Sequence, residues 1–222
     1  PTPAPRPAPG ASRAGPPPAR AGADLSMRAA RARLGALRSG EGGSISVEAV
    51  IVFPLLAWVY MASFIFFDAF KVQSLNDKAA FAVADALSRE TETVNGAYIT
   101  SMEELHALMT LARQPNGLRV SAVRWDDAKA RHHVVWSEAR GSMTEGLRDT
   151  DLAADGGIAA AIPAMSDGER LILVETRLPY APAFEVGLDP FILEGVTAIS
   201  QRYAPQLCFD VGDDGDMAND LC

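Results

Sequence analysis

Histidine, cysteine and tryptophan are scarce in this chain: three, two and three residues among 222. The histidines do not combine into a site by spacing. His132 and His133 are adjacent, so in a strand their side chains point to opposite faces. No HExxH pattern or cysteine pair lies near them to complete a zinc set. His106 falls in a helical stretch and is expected to be half-exposed there. Glycine-rich phosphate loops and the Gly-x-Ser-x-Gly elbow are missing too. With these spacings absent, the chain is expected to be no enzyme and to need no cofactor.

Large apolar side chains are almost absent from the first 26 residues, and eight of the 15 prolines lie within the first eighteen positions. Such a segment cannot bury enough surface to offset the entropy of ordering, so residues 1–26 are expected to be a disordered extension. Methionine is lacking there as well; the first is Met27. The extension therefore either precedes the true start or belongs to a longer stretch of chain.

Acidic residues are nearly missing up to position 43. Seven arginines face only Asp24 and Glu41, a balance of +5, and since the whole chain carries −8 the remainder carries −13. An acidic remainder repels nucleic-acid phosphates, which excludes nucleic acid as a partner. A basic start, an apolar run and an acidic remainder make the order of a single-pass membrane protein with its N-terminus held in the cytoplasm.

The apolar run covers residues 47–67, opening at Val47 and closing at Phe67, and only Glu48, Pro54 and Ser63 interrupt it. About 20 residues at 1.5 Å each cross a hydrocarbon core of roughly 30 Å, and Lys71 one turn on can snorkel to the headgroups. A cleaved secretory signal would have a shorter core. A soluble core helix would show a polar face at 3.6-residue spacing. Trp58 and Tyr60 sit near the middle of the run, whereas lipid-facing anchors carry such rings at their rims; a helix packed on other helices tolerates them better.

Residues 42–54 read "GGSISVEAVIVFP". A cut after Gly43 would leave Ser44 as the new N-terminus and Glu48 as the fifth residue. This resembles a type IV prepilin processing site, where a membrane-embedded aspartyl peptidase removes a short basic leader, here residues 27–43. The resemblance implies that Glu48 compensates the amino terminus of a neighbouring subunit. An ammonium and a carboxylate are each costly in an apolar bundle, and pairing removes most of that cost. The plainer alternative is an uncleaved anchor whose Glu48 lies at the interface, mildly favoured by the helix dipole. Pro54 would kink or loosen the helix, and packing partners can satisfy the carbonyl it frees.

Beyond a transmembrane helix of residues 44–70, Leu75, Ala79, Val83 and Leu87 recur every four residues and predict an amphipathic stem over 71–95. "SMEELHALMTLAR" predicts a second helix, with Ser101 and Glu104 in capping-box register. Strand-like runs follow at 118–125, 132–137, 170–178 and 196–203. The first two flank "DDAKAR", a hairpin connection in which Asp126 and Asp127 can bond their own backbone. Trp125 and Trp136 are candidate packing anchors. Residues 141–157 read as a surface loop, and "IAAAIPAM" as a short helix broken at Pro163.

"VETRLPYAPAF" and "QRYAPQLCFD" look like the strand-then-Pro-Tyr and Arg-aromatic-Ala-Pro elements of TadE-like minor pilins from tight-adherence (Flp) pilus systems. With the processing region, they make the chain resemble that family. The resemblance implies an α+β, pilin-like fold: a long N-terminal helix packed on a small antiparallel sheet in a head over 96–222. It also implies a bacterial inner-membrane location with the head in the periplasm. The implied partners are a prepilin peptidase, other minor pilins and the Tad secretion platform. Ser44 replaces the aromatic first residue common in type IV pilins at large. A permanently anchored periplasmic binding or sensor domain is the alternative function.

Cys208 and Cys222 both fall in the last fifteen residues. In an oxidising compartment they would close a disulfide loop, and two free thiols are the alternative. Between them, "FDVGDDGDMANDLC" is rich in oxygen donors, but it lacks the EF-hand spacing of a glycine at six and a glutamate at twelve. It reads first as a solvated acidic tail. Asp213, Asp214 and Asp216 are the calcium candidates.

Overall fold

The computed structural model describes residues 44–112, 114–152, 157–213 and 219–222. The fold is α+β, with one long apolar helix and a small antiparallel sheet. Helix α1 (Ser44–Arg89) continues through Pro54 without a break. The chain divides into two units, Pro1–Ala57 and Trp58–Cys222. In the first, the side chains of α1 are exposed from Ile45 to Leu56.

The second unit holds the core. After α1 come β1 (Val94–Asn95), helix α2 (Gly96–Thr110), β2 (Gly117–Asp126), β3 (Arg131–Gly141), β4 (Arg170–Tyr180), β5 (Phe191–Ser200) and β6 (Phe209–Asp210). Four of the strands form an antiparallel sheet in the order β3-β2-β4-β5. Its period-two alternation places Leu118, Val120 and Ala122 of β2, with Ile172 and Val174 of β4, against Val83, Ala84 and Leu87 of α1 and Ile99 of α2. The opposite face, with Val123 and Leu173, is covered by Leu147 and Leu152 from the connection after β3. That connection carries a 3-10 turn at Asp149–Leu152, so it is a lid on the sheet as well as a surface loop. On the same face Arg119 meets Glu175 through a two-pronged fork at 2.6 and 2.7 Å, and Glu175 is only 6% exposed.

Several local expectations shift. The helix expected to start at Ser101 starts at Gly96. Its cap is Asn95, whose side chain accepts from the Tyr98 amide, while Ser101 Oγ bonds the Ala97 carbonyl inside the helix. The last sheet strand runs over Phe191–Ser200 instead of 196–203, because β4 extends to Tyr180 and pairs it with Phe191. Glu194 and Gly195 had interrupted its apolar pattern. The hairpin "DDAKAR" forms as expected, with Asp126 Oδ1 accepting from the Lys129 amide. The run "IAAAIPAM" supplies only a 3-10 turn at Ala159–Ala161.

Cys208 and Cys222 are joined by a disulfide. The tail folds back on itself, Phe209 and Leu221 exchanging two backbone hydrogen bonds of 2.9 Å, while β6 pairs with β1 in parallel. Trp136 anchors this corner: its ring lies 5.3 Å from Phe209 and its Nε1–H donates to the Leu207 carbonyl.

Candidate functional site

Helix α1 is long and apolar enough, by length and composition, to cross a membrane. Glu48 is exposed on it, between exposed Val47, Val50 and Ile51. Ser44 is its first helical residue, and Gly43 lies outside the described residues. Val47, Pro54 and Phe67 are all exposed, Phe67 to 76%.

Within the second unit, however, the head reaches well into the apolar run. Ala62 and Ile65 are buried against Val186, with Leu188 beside them. One turn further, Ala69 and Val72 pack on Leu178, Tyr180 and Leu193. Spacings of three and four residues put these positions on one helix face. The segment from Ala62 to Phe70, expected to lie within the transmembrane helix of residues 44–70, therefore has one face in protein. The other face keeps Trp58, Phe66, Phe67 and Phe70 exposed.

Tyr180 fixes this junction. Its hydroxyl donates to Asp68 Oδ2 at 3.1 Å and lies 3.3 Å from the Ile65 carbonyl. Burial, then the Asp68 carboxylate that accepts its proton, pushes the phenol up to about 12. The Leu-Pro-Tyr segment at the end of β4 thus brings a hydrogen-bond donor to the one carboxylate at the end of the apolar run.

A second junction was missed. His106 is fully buried, not half-exposed as expected. Asn76 Nδ2 donates to Thr176 Oγ1 at 3.0 Å, which turns Asn76 Oδ1 toward His106 Nε2 at 3.0 Å. Asn116 Nδ2 lies 2.8 Å from His106 Nδ1. These amide orientations require a neutral imidazole with its proton on Nε2 and a lone pair on Nδ1. Burial pushes its pKa down to about 4. The chain ties α1, α2 and β4 through polar groups in an otherwise apolar layer, where each must be satisfied. β5 passes so close that a Cβ on Gly195 would sit 2.7 Å from Thr176 Oγ1. The available signal was Asn76, a lone amide on the buried stripe of the stem.

Elsewhere an open cleft of about 610 Å³ is lined by Trp125, Arg131, His132, Asp149 and Thr150. His132 meets Trp125 edge-on at 4.8 Å, and His133 bonds Asp149 at 2.7 Å, so the two histidines part as their adjacency requires. Of the calcium candidates, Asp213 accepts from the Asn95 side chain and its own amide donates to Asp210 Oδ1. Asp214 and Asp216 lie outside the described residues. Among the described residues no group of three or more His, Cys, Asp or Glu is placed to hold a metal ion.

Compared with protein-family models, curated proteins and solved structures, the chain finds no match in any of the three.

Proposed function

We propose that the chain is a prepilin-like structural subunit of the TadE-like minor pilin kind, and a substrate of a prepilin peptidase. In this reading it inserts in a bacterial inner membrane with the arginine-rich leader in the cytoplasm and the head in the periplasm. The peptidase cuts after Gly43. Glu48 then pairs with the new amino terminus of a neighbouring subunit, and the chain assembles with other minor pilins at a Tad secretion platform. The observation that carries the reading is α1 itself: one helix whose early side chains are exposed and apolar around a single carboxylate, and whose later turns are the core of the head. A helix built in this way has a surface that only lipid or other helices can cover.

Coexpression with a prepilin peptidase tests it. The chain should lose its leader, Gly43→Phe should keep it, and Glu48→Ala should be cut normally yet fail to assemble. Unimpaired assembly of Glu48→Ala would remove the carboxylate from its role. The cleft beside Trp125 and His132 favours a second reading, a permanently anchored periplasmic binding or sensor domain. An uncut chain in the presence of the peptidase would select it.

A further inference from the structure

We infer that the β4–β5 connection, residues 181–190, rests in the headgroup layer of the bilayer, with Phe184 inserted beside α1. The inference rests on the reading of α1 as a membrane span and fixes where that span ends.

Ala62 is the first buried residue of α1 among the described ones, and Val186 of the head packs on it. The apolar residues from Ile45 to Met61 rise about 25 Å as helix, short of a hydrocarbon core of about 30 Å. The outer edge of the core therefore falls at or beyond Ala62, where Val186 packs. Everything at the level of Val186 is then at the boundary between acyl chains and headgroups, a layer roughly 5 to 7 Å deep on each side.

The composition of the head at that level agrees. Phe184 is 52% exposed within the connection, and exposed Phe191 and Ile192 follow at the start of β5, next to Tyr180. Phe67 and Phe70 are exposed on the neighbouring turns of α1. The other end of the sheet is polar, with Asp126, Asp127 and Lys129 in the β2–β3 turn. Apolar rings gathered at one end of the head, continuous with the apolar helix, suit a lipid surface. Glu185 and Asp189 are exposed in the same connection and would be repelled by anionic lipid, so the surface it fits is zwitterionic.

The test uses the full chain in phosphatidylethanolamine–phosphatidylcholine vesicles, with a nitroxide placed in turn at Leu56→Cys, Phe184→Cys and Asp127→Cys. The native cysteines stay paired and unlabelled. Collisions with oxygen and with a nickel chelate report depth. The oxygen-to-nickel ratio should be highest at position 56, several-fold lower at 184, and several-fold lower again at 127. A label at 184 as wet as that at 127, with 56 in lipid, overturns the inference and leaves the membrane reading standing. Spin–spin broadening at 184 would put a second copy there and overturn it equally. A wet label at 56 overturns both.

Discussion

Lowering the pH from 7 to 5 protonates His106 in the unfolded chain but not in the folded one. The folded imidazole has a pKa near 4 because burial opposes its charge, and its Nδ1 is occupied as an acceptor. An unfolded histidine titrates near 6.5. The unfolded state thus binds more protons throughout this window, so stability is fully present above about pH 6.5 and falls as the pH drops toward 4. A gap of this size is worth about 3 kcal/mol in full and about 2 kcal/mol by pH 5. For a chain of this length that is about 4 to 8 °C in Tm. Thermal unfolding can be followed by the fluorescence of Trp136, buried against Phe209. His132, whose pKa burial also lowers, contributes in the same direction, so the informative quantity is the difference between the wild type and His106→Gln. The variant should be less stable at pH 7 and lose most of the slope between pH 7 and 5. An undiminished slope would refute the neutral, network-bound imidazole.

Two further perturbations follow from the head. Arg119→Ala leaves the Glu175 carboxylate buried without its fork and should destabilise by about 3 to 5 kcal/mol in denaturant unfolding, whereas Arg119→Met combined with Glu175→Leu should recover most of the loss. Cys222→Ser opens the loop between residues 14 apart and should reduce stability by about 3 kcal/mol, with proteolysis beginning after Cys208.

The strands were legible because they alternate. Leu118, Val120 and Ala122 share a face in the sequence as they do in the sheet, and the turn residues of "DDAKAR" have few other uses. The stem was legible for the same reason at a different period, since Ala79, Val83 and Leu87 form one buried stripe. What escaped depends on distant partners. His106 and Asn76 are separated by 30 positions, and Asn76 and Thr176 by 100, so no local pattern marks His106 as buried. The lid that covers the second face of the sheet places Met143, Leu147 and Leu152 at irregular spacing, which no helix or strand period reveals. At the candidate site the informative quantity was a distance along the chain, from Gly43 to Glu48. The docking of Val186 and Tyr180 on Ala62, Ile65 and Asp68 shortens the bare part of the helix, and hydropathy alone treats those turns as more span.

The central claim is that this helix is released by a cut after Gly43 and kept on the protein. The intact mass of the chain extracted from membranes of cells carrying a prepilin peptidase measures it directly. A mass that begins at Ser44 and includes the Cys208–Cys222 bond is the predicted result. A mass that retains the arginines at positions 28, 31, 33 and 38 would contradict it.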